Sequence, residues 1–139
     1  MTIALMQPTG PQDNVRFQQE TGYRIGPDFR GIKAVVDGEI IGMVGYDLWT
    51  PNSVNMHVLA CVPIAMMSPA VVRNVFEYPF VQAGRSVVIG NIPGYNDKCL
   101  AITEWLGFKE IYRIKDGWEK GVDMVVKEMR KEDCRWLHE

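Results

Sequence analysis

Two apolar runs separated by a single Asp-Gly pair are the clearest feature in the pattern of hydrophobic and polar positions. Gly31–Asp37 and Glu39–Trp49 both have strand character, and Asp37-Gly38 supplies the positive φ angles of a tight hairpin turn. Ser53–Val62 follows with period-two alternation. Val54, Met56, Val58, Ala60 and Val62 share one face, expected to be core; Ser53, Asn55, His57, Leu59 and Cys61 share the other. That second face starts polar and turns apolar, as a strand half under a site would, and as an ordinary edge-to-centre strand also would. After Pro63 the period becomes helical. Ser68 is placed to cap a helix with Pro69 at its first position, and Val72, Val75, Phe76 and Phe80 carry its apolar face until Pro79 kinks or shortens it. Ser86–Ile92 is apolar enough for a buried strand.

The stretch from Asn96 to Glu110 reads as one turn, one short helix and one strand start. The Asn96 side chain can accept from an orphan N–H of the first turn, and Gly107 suits the left-handed residue that ends a helix. Cys99, Ile102, Trp105 and Leu106 fall on one side of that helix. A strand over Phe108–Ile114, a loop over Lys115–Gly121, a last strand over Val122–Met129 and a terminal helical turn over Lys131–Leu137 complete the chain. At the other end, Ile3–Met6 reads as a short edge strand and Gln12–Thr21 as a short helix, with a loop through Gly22, Gly26 and Pro27. The order is hairpin, strand, helix, strand, helix, strand, strand. It predicts an α/β (α+β) fold with a mixed sheet, in which Ser53–Val62 and Ser86–Ile92 run parallel across a right-handed crossover.

Composition narrows the classes. A chain of 139 residues is expected to form a single domain, 1–139, and its net charge of −2 lacks the basic excess of a general nucleic-acid binder. No apolar run reaches membrane-spanning length, so no membrane partner is expected. The three cysteines, Cys61, Cys99 and Cys134, show no Cys-x-x-Cys pair, which argues against zinc and points to reduced thiols in a cytoplasmic protein. No metal site is expected.

The run Asn96-x-x-Cys99-Leu100 … Leu106-Gly107-Phe108-Lys109-Glu110 resembles the last helix and following strand of the GNAT N-acetyltransferase superfamily. From about residue 31 to 130 the element order resembles the GNAT fold, a mixed, mostly antiparallel central sheet flanked by helices. The tail 129–137 is similar to that of small GNAT-like proteins of bacteriophages and prophages. The resemblance implies transfer of an acetyl group from acetyl-CoA to an amine acceptor, a small molecule or a protein, with a homodimer among the assemblies it allows.

It also implies where the site lies. GNAT enzymes carry a glycine-rich turn after the third strand, whose N–H groups and helix N-terminus hold the pyrophosphate. The matching stretch here, Val62–Ala70, has no glycine and no basic residue, leaving the N–H groups near Ala70 and Val71, with Arg73 a turn later. Acetyl-CoA is therefore expected to bind more weakly than micromolar, or not at all. Its thioester would lie beside Leu59, Cys61 and Val62, polarised by backbone N–H groups near Cys61 to Ile64, and Asn96 would also touch it. Thr103 stands where many members place the tyrosine acid, and Tyr95 offers a phenol just before the helix. His57 is the candidate base, or else a satisfied, half-buried histidine. Asp47 and Glu77 are alternative carboxylates, expected to be solvated. The competing reading is a catalytically degenerate GNAT-fold binding or structural protein of phage origin.

Overall fold

The protein is described by a computed structural model covering residues 3–138. The strands are β1 (Leu5–Pro8), β2 (Arg30–Val36), β3 (Glu39–Asp47), β4 (Ser53–Ala60), β5 (Val87–Pro93), β6 (Lys109–Glu119) and β7 (Val122–Arg130). The helices are α1 (Pro11–Thr21), α2 (Pro63–Met66), α3 (Pro69–Glu77) and α4 (Asp97–Leu106), with 3₁₀ turns at Lys131–Asp133 and Arg135–Leu137. One seven-stranded sheet runs β1-β2-β3-β4-β5-β7-β6. Every neighbouring pair is antiparallel except β4 and β5, which are parallel. That is the mixed sheet the pattern predicts.

Local chemistry explains most boundaries. Asp37 (φ 51°) and Gly38 (φ 80°) form the hairpin turn between β2 and β3. Ser68 caps α3 by accepting from the Val71 N–H. Pro79, which lacks an N–H, ends the α-helical run: the chain continues as a π-helical turn over Tyr78–Gln82.

Four expectations are corrected. β4 stops at Ala60 rather than Val62, because Val62 instead caps a one-turn helix, α2, that the sequence pattern did not show. Val58 was placed on a core face but is 48% exposed, since β4 has no strand beside it there on the β5 side. β5 alternates rather than being buried on both faces: Val88, Gly90 and Ile92 are buried, Val87, Ile89 and Asn91 only half so. The expected loop 115–121 is mostly strand, because β6 continues to Glu119 across a wide bulge. Asp123 accepts from the Asp116 N–H and Asp116 from the Gly121 N–H, which satisfies backbone groups the bulge leaves unpaired.

The core lies in two layers. The larger joins Val44, Tyr46, Val54, Met56, Val88 and Met129 of the sheet to Val71, Val72, Val75 and Phe76 of α3, with Phe108 and Trp136. The smaller sits on the opposite face, where Phe17 of α1 meets Phe29 and Met43, with Tyr23, Ile25 and Leu59 packed against it. Phe29 lies directly on the β3 backbone, and a Cβ at Gly45 would collide with its ring. None of the second cluster comes from β5, so α1 and its loop cover the β3–β4 part of that face.

Candidate active site

The site begins where the sheet parts. β4 and β5 pair only at Ser53↔Val87, Val54↔Val88 and Asn55↔Ile89. Beyond Asn55, β4 stays with β3 from Met56↔Tyr46 to Ala60↔Gly42, while β5 stays with β7 from Gly90↔Lys127 to Pro93↔Met124. The facing edges therefore separate, and the edge of β4 from Met56 to Ala60 has no strand partner on that side. An edge of this kind presents unpaired N–H and C=O groups, which can bond an extended ligand.

His57 stands on this stretch of β4, on the α1 face. Opposite it on β3 is Gly45, whose missing Cβ admits the Phe29 ring of the loop, and the imidazole reaches diagonally to Asp47. His57 Nε2 lies 2.8 Å from Asp47 Oδ1, with side-chain exposures of 14% and 4%. The Tyr23 hydroxyl donates to Asp47 Oδ2 at 2.6 Å, and its ring lies over the imidazole with centroids 3.8 Å apart. Asp47 is thus not solvated as expected: it is a buried carboxylate with a donor on each oxygen, as a buried charge requires. Burial, first, and the hydrogen bond to Asp47, second, push the Tyr23 phenol well above its usual value. His57 Nδ1 makes no hydrogen bond among the described residues. An imidazole held at one nitrogen by a carboxylate has the other free to accept a proton.

At the cofactor junction, fewer donors are open than the sequence reading assumed. The N–H groups of Cys61 and Val62 both donate to Ile41 O, at 2.9 and 2.8 Å, so they do not point at a thioester. Pro63 and Pro69 have no N–H, and those of Ala65, Met66, Met67 and Ser68 are used within the turn. The Val71 N–H reaches Ser68 Oγ at 3.4 Å, leaving Ile64 and Ala70 as the N–H groups of this stretch without an acceptor among the described residues. Arg73 pairs with Glu77 at 3.5 Å on the exposed side of α3. Leu59 turns toward the Phe17–Phe29 cluster, and Cys61 Sγ accepts from the Arg16 guanidinium at 3.2 Å.

The helix side differs again. Thr103 donates to the Cys99 and Leu100 carbonyls and accepts from Lys127 Nζ at 2.8 Å, so its hydroxyl is spent inside the packing of α4 on β7. Tyr95 is 65% exposed in the turn before α4. Asn96 Oδ1 accepts from the Cys99 N–H at 3.1 Å and acts as the helix cap. His57, Asp47 and Tyr23 are brought together; Thr103 belongs to a separate cluster with Lys127. The sequence reading missed Tyr23 altogether. The one signal for this group was parity, since Asp47 and Gly45 share a face of β3, and it becomes usable only once the β3–β4 register is known. A surface hollow of about 310 Å³ lies elsewhere, between β1, β2 and α3, lined by Met6, Ile32, Asn74 and Tyr78.

No protein-family model and no curated protein matches the sequence. Solved structures do. A mutant form of the spermidine/spermine N-acetyltransferase SpeG from Vibrio cholerae superposes with a TM-score of 0.79 at 10% identity, over 98% of each chain. The N-acetyltransferase PseH of Campylobacter jejuni, solved with acetyl coenzyme A, gives 0.62 at 14% identity over 86% of this chain and 79% of that one. A GNAT-family protein from Desulfovibrio desulfuricans gives 0.72 at 16% identity over 92% and 99%. At these identities the likeness is one of backbone path: this chain has the fold of the GNAT N-acetyltransferases.

Proposed function

We propose that this protein is an N-acyltransferase in which His57, oriented by Asp47, is the base that deprotonates an amine acceptor. The observation that carries the reading is the pairing of half-buried His57, on the stretch of β4 that has parted from β5, with buried Asp47 of β3. Acetyl-CoA, when bound, supplies the acyl thioester; the open β4 edge suits its extended portion, while the open backbone N–H groups at the junction before α3, among the described residues, are those of Ile64 and Ala70. His57 Nδ1 takes the proton that an attacking amine must lose, and Asp47 stabilises the imidazolium so formed. Neither Thr103, which is locked in α4, nor Tyr95, which faces water, is held as an acid. None is required, because a thiol with a pKa near ~8.5 leaves readily as the thiolate. Three free thiols in the chain suit a reducing compartment such as the cytoplasm.

The scarcity of donors at the junction favours a second reading: a GNAT-shaped binding or structural protein without the cofactor, consistent with the phage-like tail. Titration calorimetry with acetyl-CoA separates the two. Under the acyltransferase reading a dissociation constant weaker than about micromolar is measured, and acetyl transfer to a panel of primary amines falls by about 10²–10⁴-fold in His57→Gln. Neither heat of binding nor transfer at millimolar acetyl-CoA would leave the second reading standing.

A further inference from the structure

Tyr23 has no part in the mechanism above, yet it makes the closest contacts in the site. It sits in the connection between α1 and β2, and that connection is pinned. Its own N–H donates to Thr21 Oγ1 at 3.1 Å, the Ile25 N–H donates to Gln18 Oε1 at 2.9 Å, and Phe29 packs on Phe17 with ring centroids 5.5 Å apart. The phenol is therefore presented to Asp47 by a loop fixed to α1.

We propose that Tyr23 is a positioning residue for His57. Its hydroxyl occupies one oxygen of Asp47 while its ring lies on the imidazole, fixing Nε2 on the carboxylate and leaving Nδ1 as the nitrogen that meets the acceptor. The catalytic meaning rests on the acyltransferase reading; the geometry does not.

Three features support it. Asp47 accepts but cannot donate when ionised, so His57 Nε2 must carry the hydrogen and the neutral ring keeps its lone pair on Nδ1. A rotation of the imidazole by half a turn would bring a ring carbon to Asp47 in place of Nε2, and the stacked Tyr23 ring, 3.8 Å away and inclined by 33°, obstructs that rotation. The hydroxyl also draws charge from the carboxylate, which tempers its pull on the imidazolium. The phenol stays a donor throughout the range in which an imidazole titrates, because burial and Asp47 both disfavour its ionisation. The ionisable groups bearing on the pair are Asp47 from β3, Tyr23 from the loop and Asp28 farther along that loop, which acts on the phenol.

The test is an imidazole titration by NMR on the intact chain, with the exposed His138 as internal reference. Tyr23→Phe keeps the ring and removes the donor. Asp47 then holds the imidazolium more strongly, and the His57 midpoint moves up by about one pH unit while His138 does not move. Tyr23→Leu removes the ring as well, and the ¹⁵N shifts of His57 change from a single Nε2–H tautomer to a mixture. An unchanged midpoint in the Phe variant, an unchanged tautomer in the Leu variant, or loss of the fold by circular dichroism in the Phe variant overturns the proposal, since a hydroxyl that only positions is not needed for folding. Where acetyl transfer is measurable, its alkaline-rising limb shifts up in Tyr23→Phe with KM for the amine little changed. If no transfer is detected in the wild type, the functional reading fails while the titration still decides the role of Tyr23.

Discussion

At the scale of single residues, two phenols tie this protein's stability to alkaline pH. Tyr46 is fully buried and donates to Val75 O at 2.6 Å; Tyr23 donates to Asp47 at the same distance. Both are held above the ordinary value of 10.0, in each case chiefly by burial. The unfolded chain therefore loses these phenolic protons first, so their contribution is intact below about pH 10 and is lost as pH rises beyond it. Urea unfolding from pH 8 to 11 should show stability falling above about pH 10, with a shallower fall in Tyr46→Phe and Tyr23→Phe. Parallel curves for wild type and both variants would mean that neither phenol is coupled to folding. Much of this could not be read from sequence. Tyr46 lies on a legible strand, but its hydroxyl bonds a carbonyl of α3 that is 29 positions away.

At the scale of elements, α4 shows how a local signal and a tertiary one differ. Its cap was legible, because the Asn96 bond to Cys99 spans only three residues. Asn96→Ala should lower stability by about 1 kcal/mol in chemical denaturation, and a change near zero would mean the bond contributes nothing. Its attachment to the sheet was not legible. Lys127, 5% exposed on β7, donates to Leu100 O and Thr103 Oγ1, both at 2.8 Å, without a carboxylate in salt-bridge range among the described residues. Two neutral acceptors offset only part of the cost of desolvating an ammonium. Thr103 keeps its own helix carbonyls as partners if the lysine is removed. Lys127→Met is accordingly expected to raise stability by about 1 kcal/mol, and a clear drop in melting temperature would show that the lysine bonds outweigh their desolvation. Thr103, matched in sequence to a catalytic tyrosine, is better understood as the other half of this attachment.

At the scale of the whole molecule, the sheet behaves as two antiparallel blocks, β1–β4 and β5–β7–β6, joined by three parallel residue pairs and by the packing of α3 beneath them. The core runs unbroken on the α3 face from Val44 and Tyr46 to Val88 and Met129, so the blocks share one interior although their edges part above it. Alternate amides of Met56–Ala60 point away from β3 into the opening and should exchange with deuterium much faster than their neighbours bonded to β3. Under the acyltransferase reading, acetyl-CoA at saturating concentration should slow them. Uniformly protected amides in the free protein would mean the two blocks are closed against each other in solution.

The elements whose causes lie within a few residues were determined by the sequence alone: the Asp37-Gly38 turn, the Ser68 and Asn96 caps and the Pro79 interruption. Each rests on backbone dihedrals or hydrogen bonds that neighbouring side chains supply. Tertiary structure decided the rest. Whether β4 was buried or open at Val58 depended on where β5 diverged, and no alternation along one strand encodes the path of another. Tyr23, Asp47 and His57 come from a loop and two strands, and they meet because register, a glycine at position 45 and a loop pinned to α1 bring three separate stretches to one point. A site assembled from residues 24 and 10 positions apart leaves no spacing in the sequence, since its distances are fixed by the packing of the chain on itself.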